Sequence, residues 1–158
     1  MRDSFAIRAA APADEDAIVN FNARLAAETE AKILHGEKLR RGVRAALHDA
    51  ANGRYFMACR GNEVVGQLML TYEWSDWRNG RIWWIQSAYM LPAHRRQGAF
   101  AALYEHVRRR AAETPGVVGL RLYVERHNAA AQEVYRRLGL RDSGYQVLED
   151  IFPDGADA

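Results

Sequence analysis

Two tight-turn dipeptides, Gly61-Asn62 and Asn79-Gly80, cut the middle of the chain into three strand-like runs. The runs are RYFMACR, EVVGQLMLTYEW and RIWWIQSAYM, rich in aromatic and β-branched residues. Dipeptides of this kind make two-residue hairpin turns. Such turns can only join antiparallel neighbours, because parallel strands need a long crossover. The centre of the molecule is therefore expected to be an antiparallel meander. The next stretch supplies the crossover. A helical pattern runs to about Glu113, Thr114-Pro115-Gly116 breaks it, and VVGLRLYV reads as a strand. This strand-helix-strand step predicts one parallel pairing.

The flanks complete the order. FAIRAA, residues 5–10, reads as a short strand. Pro12 with Asp14, Glu15 and Asp16 marks a helix start, where negative charge is favoured. Ile18, Phe21 and Leu25 give that helix an apolar face, and Leu39, Val43 and Leu47 a second helix. NAAAQEVYRRLG is a short helix closed by Gly139, and one or two strands are expected around YQVLEDIF. The order β-α-α-β-β-β-α-β-α-β predicts an α/β protein of the α+β type. Its mixed, mainly antiparallel sheet has six to seven strands and is flanked by helices. No repeat or linker divides the chain, and 158 residues suit a single domain over 1–158 with one core. In EVVGQLMLTYEW, the set Gly66, Leu68, Leu70, Tyr72 and Trp74 suits the core. The set Val65, Gln67, Met69, Thr71 and Glu73 is mixed and suits a partly open face.

Charge and cysteine content narrow the functions. With 22 basic and 20 acidic residues, the chain lacks the basic excess of a general nucleic-acid binder. One cysteine, Cys59, excludes an internal disulfide and argues against a cysteine-based metal site; it is expected in the core. The N-terminus has no apolar signal run, and no stretch reaches membrane-spanning length. The expectation is a cytoplasmic protein with neither membrane nor nucleic-acid partner and no metal.

The segment LPAHRRQGAF carries the chemistry. It leads from a strand through Arg95, Arg96 and Gly98 into a helix. A helix N-terminus presents unpaired amides and about half a positive charge, which together hold phosphate. Glycine lets the backbone approach closely. The plain alternative is an ordinary connection with solvated arginines. Phe100, Leu103, Val107 and Ala111 share a helical stripe, which predicts Phe100 beneath the helix against the sheet.

RRQGAF resembles the acyl-CoA signature of the GCN5-related N-acetyltransferases (GNAT). Arg95 and Gly98 match it, while Phe100 stands where the family has glycine or alanine. ERHNAAAQEVYRRLGL resembles the family's second recurring segment at Asn128, Tyr135 and Leu138-Gly139, and the element order agrees over nearly the whole chain. The resemblance implies a GNAT-like acyl-CoA N-acyltransferase fold with acetyl-CoA as co-substrate. It implies that the amides of Arg96, Gln97, Gly98, Ala99, Phe100 and Ala101 take the pyrophosphate, with Arg95 adding charge. Main-chain groups around Tyr89, Met90 and Leu91 would hold the pantetheine arm, between residues 82–90 and 117–124. Asn128, Ala131 and Tyr135 would complete the CoA site, and Tyr135 would assist the leaving thiolate. Read from spacing alone, Asn128 is equally a helix cap and Tyr135 a packed helix residue. A homodimer is also implied.

Amine acetylation needs a base, and Glu73 is the first choice, with relay through an ordered water as the alternative. Glu28, Glu73, Trp84 and Gln86 are the candidates for the acceptor site, although carboxylates are usually plain surface groups. Trp74, Trp77, Trp83 and Trp84 crowd beside Glu73 and Asp76. Carboxylates with aromatic faces suit an ammonium group, and so a small cationic amine: a diamine, polyamine or amino-acid-like compound. It would attack the thioester directly in a ternary complex. A protein or peptide N-acetyltransferase and a non-catalytic acyl-CoA-binding module are the rival readings.

Overall fold

A computed structural model describes residues 4–153. The residues up to Leu122 make one compact unit and those from Tyr123 a second. The first unit contains β1 (Ala6–Ala9), a 3-10 turn (Pro12–Asp14), α1 (Glu15–Glu30), α2 (Gly36–His48) and β2 (Arg54–Arg60). It continues with β3 (Glu63–Ser75), β4 (Gly80–Met90), a second 3-10 turn (Pro92–His94), α3 (Ala99–Glu113) and β5 (Val117–Leu122). The second unit contains α4 (Ala129–Arg137).

The sheet order is β1-β2-β3-β4-β5. The first three pairings are antiparallel and β4–β5 is parallel, as the turns and the crossover require. The meander turns use left-handed backbone, with φ of 59° at Gly61 and 47° at Asn79. Both residue types tolerate that region.

Helices cover both faces of the sheet. Ile18 and Phe21 of α1 and Val43 and Ala46 of α2 pack on Tyr55, Met57, Cys59 and Tyr89. On the other face Phe56 lies 5.3 Å from His106 of α3, and Leu103 and Val107 are fully buried. Each buried side chain of this size contributes about 1.5–3 kcal/mol of hydrophobic stabilisation.

Three expectations are corrected. Among the described residues the sheet has five strands, not six to seven: the segment around YQVLEDIF forms no strand. Tyr145, Val147, Leu148, Ile151 and Phe152 are exposed there, and β-propensity alone makes no strand without a ladder partner. Trp74 is 60% exposed rather than core: it lies one pair from the Ser75–Gly80 end of the β3–β4 ladder. Phe100 is not part of the fully buried stripe. Ala99, Leu103, Val107 and Ala111 form the buried stripe. Phe100, half-buried, stacks on Tyr104 at 6.4 Å. The helix thus presents its small first residue to the sheet.

Candidate active site

The site begins where β5 leaves β4. Their ladder ends at Ile85 opposite Leu122, so Ser87–Met90 pairs with β3 alone. The register also slips here. Met69 lies opposite Ser87 and Leu70 opposite Ile85, which leaves Gln86 as an extra, bulged residue. The Leu91 amide donates to the Val65 carbonyl at 2.9 Å. By alternation, the main-chain groups of Ala88 and Met90 turn to the opposite edge. The Met90 carbonyl there accepts from Arg95 Nε at 2.9 Å. On the paired side Gly66 lets β3 lie close to β4: a Cβ there would meet the Met90 sulfur and, at 2.8 Å, the Tyr89 carbonyl oxygen.

The turn that follows is open to solvent. Arg96 has φ 61° and Gly98 φ 93°, and Gly98 is the N-cap of α3. The first bond of the helix runs from the Ala102 amide to the Gly98 carbonyl at 3.0 Å. The amides of Ala99 and Ala101 therefore have no intrahelical acceptor, and Gly98 supplies no side-chain cap. Gln97 is pinned from both ends. Its Oε1 accepts from Arg60 at 2.8 Å and its Nε2 donates to the Ala93 carbonyl at 2.7 Å.

Arg95, Tyr89 and Glu28, given separate roles above, meet in one cluster. The Glu28 carboxylate accepts from the Tyr89 hydroxyl at 2.8 Å and from Arg95 at 2.5 Å. The Arg95 guanidinium also lies 5.3 Å from the Tyr89 ring centre. Arg95, then Tyr89, hold the Glu28 carboxyl below its usual range. Burial, then Glu28, raise the Tyr89 phenol.

Further along the sheet, Glu73 Oε2 accepts from Arg121 at 2.6 Å and from Trp84 Nε1 at 3.2 Å. Gln86 Oε1 accepts from the Thr71 hydroxyl at 3.3 Å. Arg121 was not anticipated, since its pairing depends on the β4–β5 register. A buried polar chain was also missed. Gln67, fully buried and in register with Tyr89, donates to Asn22 at 3.0 Å, and Asn22 donates to the Tyr55 hydroxyl at 3.3 Å. Among the described residues Gln67 Oε1 has no hydrogen-bond partner. The mixed alternation of β3 was the available signal.

In the second unit Asn128 caps α4, its side chain accepting from the Ala131 amide at 3.0 Å. Tyr135, one helical turn beyond Ala131, is half-buried, and burial raises its phenol above the usual value. Among the described residues no group of His, Cys, Asp or Glu could hold a metal, and no helix is long and apolar enough to cross a membrane.

Comparison with known proteins follows the same lines. The model of the acetyltransferase (GNAT) family matches residues 22–140. The crystal structure of a possible acetyltransferase from Clostridium difficile 630 is similar at 40% identity and a TM-score of 0.87, covering 94% of this chain and 97% of that one. A ribosomal-protein-alanine N-acetyltransferase from Brucella melitensis biovar Abortus 2308 shares the fold at 16% identity and a TM-score of 0.74, over 94% of this chain and 100% of that one. An aminoglycoside N-acetyltransferase in complex with CoA does so at 12% identity and a TM-score of 0.76, over 94% and 95%. At those identities the likeness concerns fold alone. No curated protein matches the chain. The family match over most of the length, on a sheet that opens at Gln86 and a helix that starts at Gly98, shows that the chain belongs to the GNAT acetyltransferase family.

Proposed function

We propose that this chain moves an acetyl group from acetyl-CoA to the primary amine of a small amine-bearing molecule (a diamine, polyamine or amino-acid-like compound) by direct attack in a ternary complex. The observation that carries this reading is the free edge of β4 from Gln86 to Met90, which leads into the uncapped N-terminus of α3. The residues fit the co-substrate. Main-chain groups at Ala88 and Met90, flanked by Tyr89 and Leu91, offer an extended arm a strand edge to pair with. The amides from Arg96 to Ala101 suit a pyrophosphate. Family likeness adds Asn128, Ala131 and Tyr135.

In the transfer a nitrogen–carbon bond forms and the thioester carbon–sulfur bond breaks. The amine must first lose a proton. Glu73 has one oxygen engaged by Arg121 and Trp84, which leaves Oε1 to accept that proton directly or through a water. Tyr135 is assigned the hydrogen bond to the departing sulfur. The two exposed tryptophans of the β3–β4 hairpin, Trp74 and Trp77, support a homodimer contact there.

The test is calorimetric titration of acetyl-CoA, with pantetheine as the control lacking pyrophosphate, followed by a thiol-release screen of amines. Saturable binding that needs the pyrophosphate, with amine-dependent thiol release, is expected. Binding without release for any amine would make the chain an acyl-CoA-binding module.

A further inference from the structure

Glu73, Trp84 and Arg121 come from three adjacent strands and meet on one sheet face. Trp84 is in register with Thr71 on one side and Arg121 on the other, and Glu73 lies two residues beyond Thr71. On a pleated strand that spacing keeps Glu73 on the same face. The Trp84–Arg121 pair is the last before Ile85–Leu122, where the ladder ends. The cluster therefore borders the place where the β4 edge opens.

A lone carboxylate beside an indole would favour a polycation. Here the charge of Glu73 is already balanced by Arg121, at 2.6 Å. The pairing is one-sided. Both donors meet Oε2, and NH1 is the only nitrogen of Arg121 on a protein acceptor among the described residues. The guanidinium has five N–H donors, so several remain, as does Glu73 Oε1. Both side chains are reachable, at 29% and 41% exposure. The cluster thus offers a carboxylate oxygen, guanidinium donors and an aromatic ring, with no net charge. A polyamine would meet Arg121 as a like charge. A molecule bearing an amine and a carboxylate a short distance apart satisfies both.

We propose that the acceptor is zwitterionic, an amino acid or close analogue, with its carboxylate on Arg121 and its amine toward Glu73. The proposal rests on the acetyl-transfer reading and narrows its substrate.

The test compares the twenty common L-amino acids with their own C-terminal amides, and with putrescine and spermidine, by thiol release from acetyl-CoA. At least one free acid is expected to exceed its amide and both polyamines at least tenfold in kcat/KM. In Arg121→Gln that acid-to-amide ratio should fall about tenfold. Amides or polyamines preferred throughout by the wild type would overturn the proposal, whatever the variant does. So would an Arg121→Gln variant that lowers acid and amide alike. If no acceptor releases thiol, the transfer reading fails. Saturation-transfer NMR of the same panel on CoA-loaded protein then decides the inference. Binding of acids over amides that disappears in Arg121→Gln sustains it, and no preference overturns it.

Discussion

Glu28 on α1 and Arg95 on the turn before α3, 67 positions apart, are joined by an ion pair of 2.5 Å. The same carboxylate takes the Tyr89 hydroxyl, so one side chain ties the helix to both the end of β4 and the turn. Arg95 is consequently aimed at α1 and at the Met90 carbonyl. Its first task is to fix the shape of the turn.

Removing Glu28 should loosen that turn. Glu28→Ala is expected to raise the Kd for acetyl-CoA by roughly threefold, in keeping with an exposed ion pair. The KM for the acceptor should move less. Calorimetry and steady-state kinetics check both. A raised acceptor KM with unchanged acetyl-CoA affinity would instead place Glu28 in the acceptor site.

Gly98 has φ 93°, and a Cβ built on it meets nothing within 4 Å. The penalty for a side chain is therefore conformational: about 1–2 kcal/mol for an L-residue held in left-handed backbone. Gly98→Val should lower the urea midpoint accordingly and weaken acetyl-CoA binding. Lost stability with full acetyl-CoA affinity would remove the turn from the phosphate site.

Acid sensitivity should trace to the tie between α1 and α2. Glu15 accepts from Arg44 through Nε and NH2, both at 2.9 Å, and from Arg40 at 2.9 Å. Arg44, then Arg40, lower its carboxyl from 4.5 to about 2. A group depressed in the folded state stabilises above its unfolded value and loses that effect as pH falls. The urea midpoint should therefore drop between about pH 4.5 and 2. Glu15→Gln should flatten that drop and leave a lower midpoint at neutral pH. An unchanged pH profile would mean that the pair contributes nothing.

The frame of the sheet was legible because its signals are local. Gly61-Asn62 and Asn79-Gly80 dictate hairpins wherever they stand, and Gly98 marks a helix start by its own backbone. What was not legible depends on distant partners. Arg121 meets Glu73 48 positions away, only because β5 runs parallel to β4 in one register. The tail around Tyr145 has strand composition but no ladder. The slip from Phe100 to Ala99 turns on one helical position. Offsets of three, seven and eleven and offsets of four, eight and twelve both trace a stripe, and packing decides between them.

Tyr135 provides the sharpest test of chemistry. A free phenol has a pKa of about 10 and a free thiol about 8.5. Burial raises the Tyr135 phenol further, so it keeps its proton at neutral and mildly alkaline pH. Full transfer to a thiolate would run uphill, and a hydrogen bond to the departing sulfur does not. Tyr135→Phe removes that donor and little volume. The variant should lose about 100-fold in kcat, at the low end of general acid catalysis. Its acetyl-CoA affinity should stay within about twofold, because the bond matters as charge develops on sulfur and not before. Thiol-release rates across pH 6 to 10, beside calorimetry, read both quantities. Full activity at every pH would leave Tyr135 as a packing residue of α4.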